Sequence, residues 1–137
     1  MDRGRATWAE LAEVLGLSAP AVADKARRLE EKGIIRGYAA IVNPAAVGYG
    51  LTAFVSVTLD RPQHRSKFIG TLTKMEEVLE CHHVAGDFDY LLKVRCRDTA
   101  DLDDLLSNRL KALPGIARTR TTIVLGTAKE STRVPLR

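Results

Sequence analysis

The sequence predicts an α+β protein, with a helical segment first and a sheet carrying two helices after it. Three observations predict it. Between residues 7 and 38 apolar residues recur at helical spacing and are interrupted by Gly16 and Gly33. Between residues 51 and 126, alternating β-rich runs and helix-spaced runs follow in the order strand, helix, strand, strand, helix, strand. The stretch NPAAVGYG, 43–50, is rich in turn formers and separates the two blocks. The expected organisation is therefore a helix-turn-helix over 1–42, a linker over 43–50 and a second domain over 51–137.

The first helix is expected from Thr7, which with Glu10 fits a capping box. Trp8, Leu11, Ala12 and Leu15 then form one apolar stripe, and Gly16 ends it. Ser18 is a good N-cap for the second helix, and Pro20 sits in the first turn, where its missing N–H costs little. Leu17 and Val22 suit a hydrophobic staple. Val22, Ala26 and Leu29 continue a buried stripe, leaving Ala19, Ala21, Asp24, Lys25 and Arg28 facing out. Gly33 stops this helix, and Gly37-Tyr38 leads into an alternating strand that connects the two blocks.

In the second block, LTAFVSVTLD (51–60) alternates as a strand. Phe68, Ile69, Leu72 and Met75 mark an amphipathic helix weakened by Gly70. VLECHHV (78–84) and YLLKVRC (90–96) are strands joined by AGDFD, read as a polar hairpin tip in solvent. Thr99 is placed to cap the next helix, whose apolar face is Leu102, Leu105, Leu106, Leu110 and Leu113. Pro114-Gly115 ends it, and IARTRTTIVL (116–125) is the last strand. The order βαββαβ implies the split-βαβ, ferredoxin-like arrangement, with two helices on one sheet face. The other face mixes apolar and polar residues, which suits a pairing surface between copies better than bare solvent.

Composition narrows the function classes. With 137 residues, 45% hydrophobic and 28% charged, the chain is globular rather than disordered. No apolar run approaches the roughly 20 residues that cross a bilayer. MDRGRATWAE lacks the apolar core of an export signal, so a cytoplasmic protein is expected, with Cys81 and Cys96 as reduced thiols. The net charge of +4 favours nucleic acid only weakly. Residues 1–42 hold seven basic side chains against six acidic ones, so placement, not bulk charge, must carry any DNA affinity.

Two short helices joined by Gly16-Leu17-Ser18 fit a helix-turn-helix, whose second helix enters the major groove N-terminal end first. Ser18, Ala19, Pro20 and Ala21 are small enough for close approach. Lys25 and Arg28 reach bases or phosphates, and Arg36 is a phosphate candidate. An ordinary helical hairpin with a solvated face is the competing reading, and Asp24 on the same face supports it. In VAGDFDYLLKV (84–94), the turn can present backbone N–H and C=O groups to the carboxylate and ammonium of a small amino acid. ECHH (80–83) resembles a metal cluster, but neighbours on a strand point to opposite faces, so His82 and His83 do not share an ion and no metal or other cofactor is expected. The sequence contains no GxSxG, P-loop, GxGxxG or HExxH, and no catalytic residue is assigned.

Taken together, LAEVLGLS (11–18), RRLEEKGIIRGY (27–38), NPAAVGYG (43–50), ECHHVAGDFDYLLKV (80–94), LPGIARTRTTIVL (113–125) and the closing VPLR resemble the Lrp/AsnC, or feast/famine, family of transcriptional regulators across nearly the whole chain. The resemblance implies a winged-helix-like DNA-binding domain for double-stranded DNA and a C-terminal effector-binding and oligomerisation domain called RAM. It implies a homodimer that assembles further, to tetramers or octamers. It also implies an amino-acid effector held between subunits near Ala85, Gly86, Asp87, Phe88, Asp89 and Tyr90. Two departures stand out. Family members carry another helix before this pair, with an LDxxD-like start, whereas only MDRGRA precedes Thr7, so either the recorded start lies too far downstream or the DNA module is truncated and weak. Family members also often carry Arg where Lys25 stands. An amino-acid-binding assembly module without DNA binding is the first alternative, and an enzyme resembling sirohaem decarboxylases the second.

Overall fold

The computed structural model describes Gly16 and residues 18–135. The chain divides into two compact units between Asn43 and Pro44. The expected first helix from Thr7, and the staple residue Leu17, lie outside the described residues.

In the first unit, α1 spans Ala19–Glu31. Ser18 is its N-cap: the hydroxyl accepts a hydrogen bond from the Ala21 N–H at 3.3 Å. The helix stops where Gly33 turns to φ +75°, and the N–H groups of Ile34 and Ile35 fold back onto the Leu29 carbonyl at 2.8 and 3.1 Å. Val22 and Ala26 are buried. Leu29, in the last turn, is not: it is 37% exposed. The strand expected after Gly37 does not form. Residues 36–43 join no ladder among the described strands, and an extended segment without a partner is not a strand.

The second unit begins with a 3-10 turn, Ala45–Val47, and continues as strand β1 (Leu51–Leu59), helix α2 (Arg65–Leu72), strands β2 (Val78–His83) and β3 (Tyr90–Cys96), helix α3 (Thr99–Asp104) and strand β4 (Ile116–Ile123). The four strands form one antiparallel sheet in the order β2-β3-β1-β4. The period-two pattern decides what is buried. Ala53, Val55 and Val57 on β1 face the same side as Tyr90, Leu92, Val94 and Cys96 on β3. Phe68 and Leu72 from α2 and Leu102 from α3 pack on that side, so both helices cover one face. Each fully buried aliphatic side chain there contributes about 1.5–3 kcal/mol relative to exposure.

Two local expectations are corrected. The cap of α3 is Asp98, whose carboxylate accepts from the Asp101 N–H at 2.8 Å, and Thr99 is the first helical residue. The helix then widens into a π-helical turn, Leu105–Leu110. Leu105 and Leu110 are both buried, and their five-residue separation is the π repeat. A second tie fastens this region to the sheet. Arg109 grips Glu77 with both guanidinium nitrogens, and the Glu77 carbonyl accepts from the Arg95 N–H at 2.9 Å. The guanidinium bond holds the Glu77 carboxyl below its ordinary range.

The open face carries Thr52, Phe54, Ser56 and Thr58 from β1, Leu91, Lys93 and Arg95 from β3, and Arg118 and Arg120 from β4. Glu130, in the segment after β4, reaches back to pair with Lys93 and Arg95 on this face.

Candidate nucleic-acid helix and effector loop

The face of α1 opposite Val22 and Ala26 is the candidate DNA surface. Pro20, Lys25 and Arg28 are exposed, Ala19 and Ala21 are half-buried, and Ser18 is exposed while serving as the cap. Arg36, past the helix, is exposed. Sequence reasoning passed over Arg27, which shares this face. Asp24 pairs with both arginines: one oxygen meets Arg27, and the other lies 2.5 Å from Arg28. The i,i+3 and i,i+4 offsets make this geometry automatic on a helix. The pairs are exposed and each is worth little, but they fix where two guanidiniums rest. Lys25 carries no ion pair among the described residues, so the helix presents one unpaired cation and two restrained ones.

The loop between β2 and β3 is exposed at residues 85–87 but does not stand free in solvent. It is fastened at its end to the central strand. The Asp89 N–H donates to the Val57 carbonyl at 3.0 Å, and the Asp89 carboxylate accepts from the Leu59 N–H at 3.0 Å. The Val84 N–H donates to the Asp89 carbonyl at 2.9 Å, which closes the loop. Phe88 is only 9% exposed, because two cations cover it: the Arg118 and Arg120 guanidinium carbons lie 4.4 and 5.0 Å from its ring centre. Arg118 also donates to the Asp87 carbonyl at 3.1 Å. Tyr90 is buried, with its ring between Phe68 and His83. Ala85, Gly86 and Asp87 are exposed, and the backbone N–H groups of residues 85–88 donate to no other described residue. Backbone donors without a partner among the described residues, beside two guanidiniums, are suited to a carboxylate.

The histidines separate as the strand pattern requires. His83 stands opposite Tyr90 and stacks on it at 5.0 Å, while His82 stands opposite Leu91 and bonds to Glu80 at 2.9 Å. Among the described residues no three potential metal ligands converge. No helix among them is long and apolar enough to cross a membrane. Sequence reasoning missed Arg118 and Arg120. The alternation in IARTRTTI does place them on one face, but only the folded register brings β4 beside the loop.

Comparison with known proteins identifies both units. Residues 52–134 match the family described as Lrp/AsnC ligand binding domain, and residues 1–36 match winged helix-turn-helix DNA-binding. The leucine-responsive regulatory proteins of Salmonella typhimurium and Escherichia coli K12 are each 41% identical over 136 residues, 98% of this chain and 83% of theirs. Among solved structures, a Neisseria meningitidis transcriptional regulator in complex with L-methionine superposes with a TM-score of 0.90 at 32% identity, covering 96% of this chain and 86% of its own. A feast or famine regulatory protein from Mycobacterium tuberculosis, also complexed with L-methionine, gives a TM-score of 0.84 at 42% identity, covering 96% and 88%. These relatives are named regulators and not enzymes, which removes the sirohaem decarboxylase alternative. With a DNA-binding helix-turn-helix ahead of a four-stranded ligand-binding domain, and relatives alike over almost its full length, the chain belongs to the Lrp/AsnC family of transcriptional regulators.

Proposed function

We propose that this regulator reads a pseudo-palindromic operator with α1 and is controlled by a small amino acid held at the loop of residues 85–90, in the cytoplasm. The observation that carries the effector half is the run of unspent backbone donors at 85–88 on a loop fastened to the central strand. L-methionine bound to two structural relatives supports a neutral amino acid as ligand. Pairing of two chains through their open sheet faces is the arrangement that sets two recognition helices at a fixed spacing. Half-exposed Phe54 and Leu91 supply apolar area for that contact. Further assembly to tetramers or octamers places the loop between copies. Effector control requires only that the ligand bind one assembly better than another.

Ser18, Ala19, Pro20 and Ala21 form the end that approaches the bases, with Lys25, Arg28 and Arg36 as cationic contacts. Three such cations a chain, and six in a pair, give a slope of about −5 for log affinity against log salt. The assay is a mobility shift on DNA from the chain's own promoter region across a salt series, with and without L-methionine. A steep slope, preference over scrambled DNA and a methionine-dependent change support the reading. A flat salt response without sequence preference refutes it. One observation favours an amino-acid-binding module without DNA binding: Asp24 already occupies two of the helix's three exposed cations. That alternative gives methionine-dependent assembly size with no DNA shift.

A further inference from the structure

We propose that Arg118 and Arg120, braced on Phe88, are the seat of the effector's carboxylate. The proposal rests on the loop being the effector site and names the groups that recognise the ligand there.

Arg118 and Arg120 are two residues apart on β4, opposite Thr58 and Ser56, so both side chains stand on the open face. Both guanidiniums lie over one aromatic ring, at 4.4 and 5.0 Å from its centre. The ring attracts each cation, yet the two cations repel one another, and no carboxylate pairs with either among the described residues. An anion between them relieves that repulsion. The hydrogen bond from Arg118 to the Asp87 carbonyl fixes one fork against the loop, so little side-chain freedom remains to be lost on binding. A second observation marks the same place. The Thr58 hydroxyl is buried without a hydrogen-bond partner, the one such side-chain atom among the described residues, and Thr58 is the cross-strand neighbour of Arg118.

The anion is a small molecule and not the sheet face of a second copy. The carboxylates that reach this face, Glu80 and Glu130, are already taken by His82, Lys93 and Arg95. An opposing copy therefore offers no spare carboxylate from its strands; the exposed Asp87 of its loop is the rival acid, and the oligomer-size arm of the test below tells it apart from a free carboxylate. A free amino acid supplies one, and its ammonium group then lies toward the loop carbonyls.

The test is calorimetric titration of the full chain and of Arg118→Gln, Arg120→Gln and Phe88→Leu with L-methionine and with L-methioninamide, which lacks the carboxylate. Expected are a loss of about tenfold or more in methionine affinity in each arginine variant, a smaller loss in Phe88→Leu, and weak, equal binding of the amide by all four proteins. Unchanged methionine affinity in both arginine variants overturns the proposal while the loop reading stands. So does a change of oligomer size in those variants with ligand affinity intact, which assigns the pair to contacts between copies. If the unaltered chain binds no amino acid, the effector reading fails by itself. The arginine pair is then judged by phenylglyoxal modification with succinate as the probe, followed by peptide mass analysis. Protection of Arg118 and Arg120 upholds an anion seat, and equal modification with and without succinate overturns it.

Discussion

Replacing Gly115 by alanine tests how tightly the turn before β4 is packed. Gly115 holds φ +87°, and a Cβ built there falls 2.4 Å from His64 Cγ, 2.5 Å from Cδ2 and 2.7 Å from Cβ. Two separate costs follow. The left-handed backbone costs an alanine roughly 1–2 kcal/mol. The overlap forces His64 and the 3-10 turn Pro62–His64 to shift, and crowding of this kind costs roughly 1–3 kcal/mol. Gly115→Ala is therefore expected to lose about 2–5 kcal/mol, a large part of the margin of a small domain. His64→Gly removes all three overlapping atoms and leaves the backbone cost in place. In a double-mutant cycle His64→Gly should restore about 1–3 kcal/mol in the alanine background beyond its effect on the unaltered chain. The assay is urea unfolding at one fixed protomer concentration, because association shifts apparent stability. A Gly115→Ala protein as stable as the original would refute the packing argument. Additive effects would refute the part assigned to His64.

The remaining predictions concern titration and reactivity. The Arg109 pair lowers the Glu77 carboxyl from its ordinary 4.5, so its stabilisation is complete above about pH 5 and fades as pH falls through 4.5 and below. Glu77→Gln should cost about 1 kcal/mol at pH 7, and the gap between its unfolding midpoint and that of the unaltered chain should narrow as pH falls below 4.5; a gap that stays constant with pH contradicts the assignment. Burial raises the Cys96 thiol to about 11. At pH 8 only about one molecule in a thousand is then thiolate, so a thiol reagent should label Cys96 in the folded protein at least tenfold more slowly than Cys81, which is half-buried. Equal labelling rates would contradict a closed core at this strand.

The sheet was legible because its signals are local. Alternation in LTAFVSVTLD and YLLKVRC fixed both strands and their buried faces, and Ser18 fixed the start of α1. The failures fall where the deciding partner is distant or ambiguous. Asp98 and Thr99 are both good caps, and only the turn geometry chooses the carboxylate. The π turn cannot be seen in a run of leucines that fits 3.6 nearly as well as five. The connector after Gly37 has the pattern of a strand, but a ladder needs a neighbour that its own residues do not specify. The loop AGDFD was polar enough to suggest solvent. What buries Phe88 is the pair of arginines about thirty positions later, and no window of sequence contains both.

Asp89 hangs its loop from β1, one of the two strands hydrogen-bonded on both sides, by main chain and carboxylate together. On the effector reading proposed above, the effect of a bound molecule passes outward, through changed fit with whatever abuts the loop, and sensitivity is retuned by altering the neighbours while the attachment stays as it is.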